Sequence, residues 1–261
     1  MTILIKLGGS AITDKEEEYF LKEEVLQRIS NEISKIQDRI LLVHGGGSFG
    51  HVAALEQGLD EKESEELDPL GFSRVHQAMN ELNVEVVNSL ISSEVRAVPV
   101  QTSACFMKES KGVRLENEKI IEGLLESGFC PVFYGDFVLD ESGNLTILSG
   151  DQIIEHLAEI FSADRVIMGT DVDGVFTKDP KVDKEAELIP EISPKKWKKI
   201  SSQIEFSSRE DVTGGMENKI KVLIELAKKG IESRIINIER PENLIEAVKS
   251  DKRVGTKISE G

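Results

Sequence analysis

Three short glycine runs and three lysines are the residues of this chain best suited to chemistry. They are Gly8-Gly9, Gly45-Gly46-Gly47 and Gly214-Gly215, with Lys6, Lys15 and Lys219 within or beside them. Consecutive glycines let backbone N–H groups approach a ligand closely, and amides gathered at a strand end or helix start favour an anion. Lysines add the positive charge that a phosphoryl group in transfer requires, since that reaction asks mainly for positioning and charge neutralisation. The P-loop pattern G-x-x-x-x-G-K-[ST] is absent, so several loops and dispersed lysines would share that work. The densest stretch, His44-Gly45-Gly46-Gly47-Ser48-Phe49-Gly50-His51, brackets its glycines with two histidines that could add protonatable donors.

Two further stretches belong with these. Ser149-Gly150-Asp151-Gln152 opens a helical pattern, and Asp151 is either its cap or a carboxylate that holds lysines from other loops. Gly169-Thr170-Asp171-Val172-Asp173-Gly174-Val175 sets two aspartates and a threonine at a strand end, suited to a ribose, a base or a metal-bridged phosphate. Lys219 lies one turn into the helix that Gly214-Gly215 opens. Taken singly, each feature also has an ordinary reading as a tight turn, a solvated lysine or a cap.

The elements that must position these residues follow from periodicity. Residues 2–7, 40–43, 97–100, 130–134, 165–168 and 231–236 read as buried strands, and 255–258 as an edge strand. Residues 23–36, 72–93, 120–126, 151–161, 220–227 and 241–248 read as helices, with another opening at Ala53. Strand–helix–strand order predicts right-handed crossovers and ligands gathered at the strands' carboxyl ends. Residues 137–139 and 145–147 read as hairpin arms, and 112–119 as a second small hairpin. The stripe Phe72, Val75, Met79, Leu82, Val86 and Leu90 is a core face whose first turns could line an apolar pocket beside the glycine loop. The acidic stretch 57–68 reads as a mobile excursion, and the basic run at 195–199 as a solvated helix face anchored by Trp197.

Composition narrows the function. With 261 residues, 39% of them hydrophobic and 31% charged, the chain suits one large α/β domain or two lobes. A net charge of −16 argues against a nucleic-acid partner. No apolar run approaches the about 20 residues that span a bilayer. No signal-peptide pattern precedes the first strand. Cys105 and Cys130 show no metal-ligand spacing and read as reduced, buried thiols. A cytoplasmic protein without a membrane partner is expected.

In chain order, Lys6-Leu7-Gly8-Gly9-Ser10, the central glycine loop, Ser149-Gly150-Asp151-Gln152, the run from Gly169 to Val175, and Asp211-Val212-Thr213-Gly214-Gly215-Met216 with Lys219 resemble the amino acid kinase superfamily. Within it the chain is most similar to the isopentenyl phosphate kinase branch, on Gly47-Ser48-Phe49-Gly50-His51 and on residues 211–216. The resemblance spans nearly the whole chain. Residues 57–68 and 181–208 match no motif of it.

The resemblance implies an α/β fold, a three-layer αβα sandwich around a mostly parallel central sheet. It would be a single domain over 1–261, with an acceptor-binding lobe at about 1–164 and an ATP-binding lobe at about 165–261. The implied reaction is ATP plus isopentenyl phosphate giving ADP plus isopentenyl diphosphate, in an alternative mevalonate route. Gly46, His51 and Gly150 would hold the acceptor phosphate, with His51 selecting phosphate over carboxylate. Lys6 and Lys15 would stabilise charge on the transferred group, Lys219 would reach the ATP phosphates, and Asp151 would orient the lysines. Gly8, Gly9, Ser10, Gly47, Asp171 and Gly215 would line the nucleotide side. Mg²⁺ would accompany ATP, and a homodimer is implied. The acceptor's apolar tail would lie against side chains such as Phe72, Val75, Met79, Val138 or Ile147.

Two rivals stand beside this reading. Another kinase of the superfamily would act on acetylglutamate, glutamate, carbamate, UMP or fosfomycin. A carboxylate acceptor has no obvious use for His51, whereas fosfomycin kinases are excluded only weakly. A non-catalytic nucleotide-binding regulator would not need Lys6, Lys15, Asp151 and Lys219 together.

Overall fold

The computed structural model describes residues 1–14, 17–58, 68–110, 112–204, 215–249 and 254–261. Lys15, Gly214, residues 211–213 and most of the acidic 57–68 stretch lie outside them. The elements run β1 (Thr2–Leu7), α1 (Gly9–Ile12), α2 (Glu23–Ile33), β2 (Arg39–His44), α3 (Gly47–Glu56), α4 (Pro69–Ser92), β3 (Ala97–Pro99) and α5 (Thr102–Cys105). Then follow β4 (Phe106–Glu109), β5 (Gly112–Leu115), α6 (Glu118–Glu126), β6 (Cys130–Tyr134), β7 (Asp136–Asp140), β8 (Leu145–Leu148) and α7 (Gly150–Ile160). The rest comprises β9 (Arg165–Thr170), β10 (Glu191–Ile192), α8 (Pro194–Ile200), α9 (Gly215–Lys228), β11 (Glu232–Asn237), α10 (Asn243–Lys249) and β12 (Thr256–Ile258).

β1 is buried along its whole length, as a central strand covered on both faces must be. The eight-stranded sheet has the order β10-β12-β11-β9-β1-β2-β6-β3, and β11, β9, β1, β2, β6 and β3 pair in parallel. Alternation along the strands splits the core in two. Ile3, Ile5 and Leu7 face α2, α4 and α10 through Leu26, Ile29, Leu82, Val86 and Leu244. Leu4 faces α6, α7 and α9 through Ile121, Ile153, Leu157, Ile220 and Leu223. These are the three αβα layers expected. Period two also places Lys6 on the face of Leu4, under α7 and α9. A four-stranded sheet, β5-β4-β7-β8, packs into that same core through Phe106, Leu115, Val138 and Leu148.

Local sequence explains where the key helices start. Ser149 caps α7 in a reciprocal box with Gln152, so Asp151 is left free for another task. Asp68 accepts from Leu70 N at 3.0 Å and Pro69 occupies the first turn of α4.

Three expectations are corrected. α3 begins at Gly47 rather than Ala53, because the glycine loop itself winds into the first helical turn and takes His51 onto the helix. The small hairpin is β4 with β5, not residues 112–119, since Phe106–Glu109 pairs antiparallel with Gly112–Leu115 and α6 starts at Glu118. β12 is not an edge strand: the two-residue β10 pairs with it on its outer side. The basic run at 195–199 is the exposed face of α8, anchored as expected by Trp197, which packs partly buried against the core. Cys105 and Cys130 are free and buried, and burial pushes the Cys130 thiol up to about 12. Among the described residues no helix is long and apolar enough to cross a membrane.

Candidate active site

The parallel register brings the ends of β1, β2 and β9 level, with Leu7 opposite both His44 and Gly169. The loops that follow therefore leave the sheet side by side. Gly8 N donates to Gly169 O and Gly45 N to Leu7 O, each at 2.9 Å. The contacts are backbone against backbone, which leaves no room for side chains. A Cβ on Gly9 would fall 2.1 Å from Gly47 N, and one on Gly8 2.6 Å from Gly169 O. Gly47 has φ +50°, a left-handed value that glycine adopts without strain. Thr13, fully buried, ties the loops together: its Oγ1 donates to Gly9 O and accepts from Ser48 N, both at 2.9 Å. Its signal in the sequence was a lone threonine after an apolar turn, too common to single out.

Directly beneath this junction lies a buried charged triad. Lys6 Nζ donates to Asp151 Oδ1 at 2.5 Å, and Lys219 Nζ lies 3.5 Å from Asp151 Oδ2 and 3.3 Å from Gly215 O. The lysine and aspartate side chains come from β1, α7 and α9. Burial would raise the Asp151 carboxyl, but Lys6 and then Lys219 outweigh it and hold it below the ordinary carboxylate range. Two ammonium groups on one carboxylate leave a net positive charge at the mouth of the glycine loops. Gly150 gives Lys6 its path: a Cβ there would sit 3.0 Å from Lys6 Cε.

The remaining expected site residues sit around this centre. Gly46 is the N-cap of α3 and His51 lies in its second turn, partly buried. Ser10 lies in the single turn α1, whose carbonyl at Ser10 accepts from Lys22 Nζ at 3.0 Å. Asp171, just beyond β9, is paired with Lys181 Nζ at 2.5 Å. Gly215 opens α9 with φ +57°. Lys15 lies outside the described residues.

His44 departs from the expected protonatable donor. It is fully buried and stacked on Tyr134, with Nδ1 3.2 Å from Gly45 O and Nε2 3.1 Å from Asn83 Oδ1. Burial pushes its imidazole down to about 4. An unfolded histidine titrates near 6.5, so as pH falls the unfolded state takes up a proton that the folded state refuses. Stability is expected to be full above about pH 6.5 and to fall by about 3 kcal/mol between there and pH 4. Urea unfolding of wild type against His44→Gln over that window checks it, and the variant is expected to show a flatter profile.

Also absent from the sequence expectations is a polar stripe on α4. His76, Asn80 and Asn83 recur at helical spacing and contact Asp136, Tyr134 and His44 respectively. Their spacing was readable, but it was overshadowed by the apolar stripe next to it.

Known proteins resemble this chain along nearly its whole length. The profile of the "Amino acid kinase family" matches residues 1–237. "Isopentenyl phosphate kinase" of Methanothermobacter thermautotrophicus is 37% identical over 265 aligned positions, covering 98% of each chain. The protein of the same name from Thermoplasma acidophilum is 32% identical, covering 93% of this chain and 94% of that one. Among solved structures, one described as "X-ray structures of isopentenyl phosphate kinase" aligns with a TM-score of 0.84 at 35% identity, over 99% of this chain and all of that one. An isopentenyl phosphate kinase substrate complex aligns at 0.80 and 30% identity, over 99% and 100%.

Proposed function

Because the chain belongs to the amino acid kinase family, we propose that it transfers the γ-phosphoryl group of ATP to isopentenyl phosphate, releasing ADP and isopentenyl diphosphate for isoprenoid synthesis. The observation that carries this reading is the triad Lys6–Asp151–Lys219, set where three glycine turns meet. The named relatives, similar along their full length, direct the choice of acceptor.

The chemistry follows from the site. An oxygen of the acceptor phosphate attacks the γ-phosphorus, and the bond from that phosphorus to the β–γ bridging oxygen breaks. The acceptor oxygen is already ionised near neutral pH, so no general base is required. The protein supplies alignment and positive charge for a loose, anionic transition state. Lys6 and Lys219 hold that charge, and Asp151 keeps both ammonium groups aimed. Lys15, two positions after Thr13 in the sequence, adds to it.

Gly46, His51 and Gly150 bind the acceptor phosphate on the half built from residues 1–164. Gly8, Gly9, Ser10, Gly47, Asp171 and Gly215 line the nucleotide on the side of residues 165–261. The site's donors fit ATP, whose phosphates suit backbone amides and lysines. Among the described residues no three His, Cys, Asp or Glu side chains gather into a metal cage. Mg²⁺ accompanying ATP would supply further neutralisation of the phosphate charge. The protein works as a cytoplasmic homodimer.

The test is ADP release with ATP and Mg²⁺ and one acceptor at a time: isopentenyl phosphate, fosfomycin, acetylglutamate or UMP. Turnover with isopentenyl phosphate alone is expected. Release with a different acceptor would keep the kinase and overturn the substrate. His51→Ala is expected to raise the acceptor KM by about 100-fold, in the range of a lost charge-assisted hydrogen bond, and to spare the KM for ATP. Unchanged use of the acceptor would remove His51 from the site.

A further inference from the structure

Asn80 and Asn83 of the polar stripe on α4 reach the last residues of β6 and β2, and His76 reaches Asp136, the first residue of β7. His76 Nδ1 lies 2.9 Å from both carboxylate oxygens of the fully buried Asp136 side chain. Asn80 Nδ2 lies 2.8 Å from His76 Nε2, and the Tyr134 hydroxyl donates to Asn80 Oδ1 at 2.5 Å. Each donor in this chain faces an acceptor when His76 carries its proton on Nδ1. Apolar contacts alone let a helix slide by small steps, whereas a satisfied hydrogen-bond chain holds one register.

Sequence neighbours of the chain's members touch both halves of the acceptor cradle. Met79, adjacent to Asn80, sets its Sδ 3.0 Å and 2.8 Å from where a Cβ on Gly46 and on Gly50 would stand. Gly135, between Tyr134 and Asp136, backs the start of α7: a Cβ on it would lie 3.4 Å from Gly150 N. Phe137, next to Asp136, meets the rings of Phe72 and His76 edge-on, at 5.6 Å and 5.4 Å.

We propose that His76, Asn80, Tyr134 and Asp136 are positioning residues for the acceptor. They lock α4 to the junction of β6 and β7, and so set the gap between the Gly46 turn and Gly150 that a monophosphate must bridge. This inference rests on the acceptor reading above.

The test compares the full-length wild type with His76→Ala, Tyr134→Phe, their double variant and Asp136→Asn. It reads kcat, the KM for isopentenyl phosphate, the KM for ATP, and Tm. His76→Ala is expected to raise the acceptor KM by about tenfold and leave the ATP KM within about twofold, as misplacement of one half of a cradle would. The double variant is expected to match His76→Ala, because both changes break one chain. Asp136→Asn keeps an oxygen for the Nδ1–H and is expected to stay near wild type. Equal rises in both KM values, or a fall in kcat and Tm with both KM values unchanged, would overturn the proposal in favour of plain structural support. If His76→Ala is insoluble, Tyr134→Phe carries the test, and an unchanged acceptor KM would overturn it. Should the wild type use a different acceptor, the substrate reading fails by itself, and the same KM split is measured with that acceptor.

Discussion

Lys6→Met is expected to lower kcat by about 1000-fold, the upper range for losing one preorganised charge donor to a transition state. Methionine keeps the unbranched stem that threads past Gly150 and removes only the ammonium. Lys6 is 6% exposed and donates to Asp151 at 2.5 Å, so its charge acts in a medium poor in water, where it is worth more than at the surface. The loss is expected in kcat far more than in either KM, because the charge matters most as the γ-phosphoryl group leaves ATP. Rapid-quench measurement of one turnover checks this, and a rate within about tenfold of wild type would exclude Lys6 from the transition state. Stability should also move. Asp151 would keep only Lys219, at 3.5 Å, and losing one partner of a buried pair costs up to about 3–5 kcal/mol. The sign with pH follows. Asp151 is held below the ordinary carboxylate range in the folded protein, so its contribution is present above pH 3.8 and is lost as pH falls through the lower folded value. Without Lys6 the carboxyl rises, and acid unfolding is expected at a higher pH than in wild type.

Gly9→Ala is the second large effect. The new methyl group would stand 2.1 Å from Gly47 N and 2.6 Å from Gly47 Cα, both backbone atoms. Neither side can yield by a rotamer change, and Thr13 pins both loops from the other side. A loss of about 3 kcal/mol or more is expected, at the top of the range for overpacking. Activity is expected to fall by at least about 100-fold, since the loops that hold the two phosphates would be pushed apart. Gly123→Ala is the matched control. Gly123 lies inside α6 and a Cβ there meets nothing within 4 Å, so alanine should add about 0.5–1 kcal/mol. Equal urea midpoints for the two variants would show that the glycine junction tolerates a side chain.

Much of the fold was legible because its signals are local. Strand residues 2–7 and 130–134, the α4 stripe from Phe72 to Leu90, and the Ser149 cap each depend on neighbours within a few positions. The glycine turns were legible for the same reason: a backbone that must touch another backbone rejects side chains wherever the chain folds. Where the local signal was shared between two structures, the reading slipped. Gly47-Ser48-Phe49-Gly50 read as a loop because glycine is a poor helix former, yet tertiary contacts wind it into the first turn of α3. His44 read as a donor because its type was visible and its burial was not.

The sequence by itself determined the alternation of buried strands and helices, the glycine turns after β1 and β2, and the lysines available to them, since side-chain periodicity and glycine's missing Cβ are properties of short segments, while the αβα layering came from the family resemblance. Only the tertiary structure decided that residues 6, 151 and 219 share one buried ion cluster, and that His76 and Asn80 turn inward to Asp136 and Tyr134. Those meetings depend on strand order, with β1 between β9 and β2 and β6 beyond β2. Strand order is set by the burial of whole helix and sheet faces, which no short stretch of residues encodes.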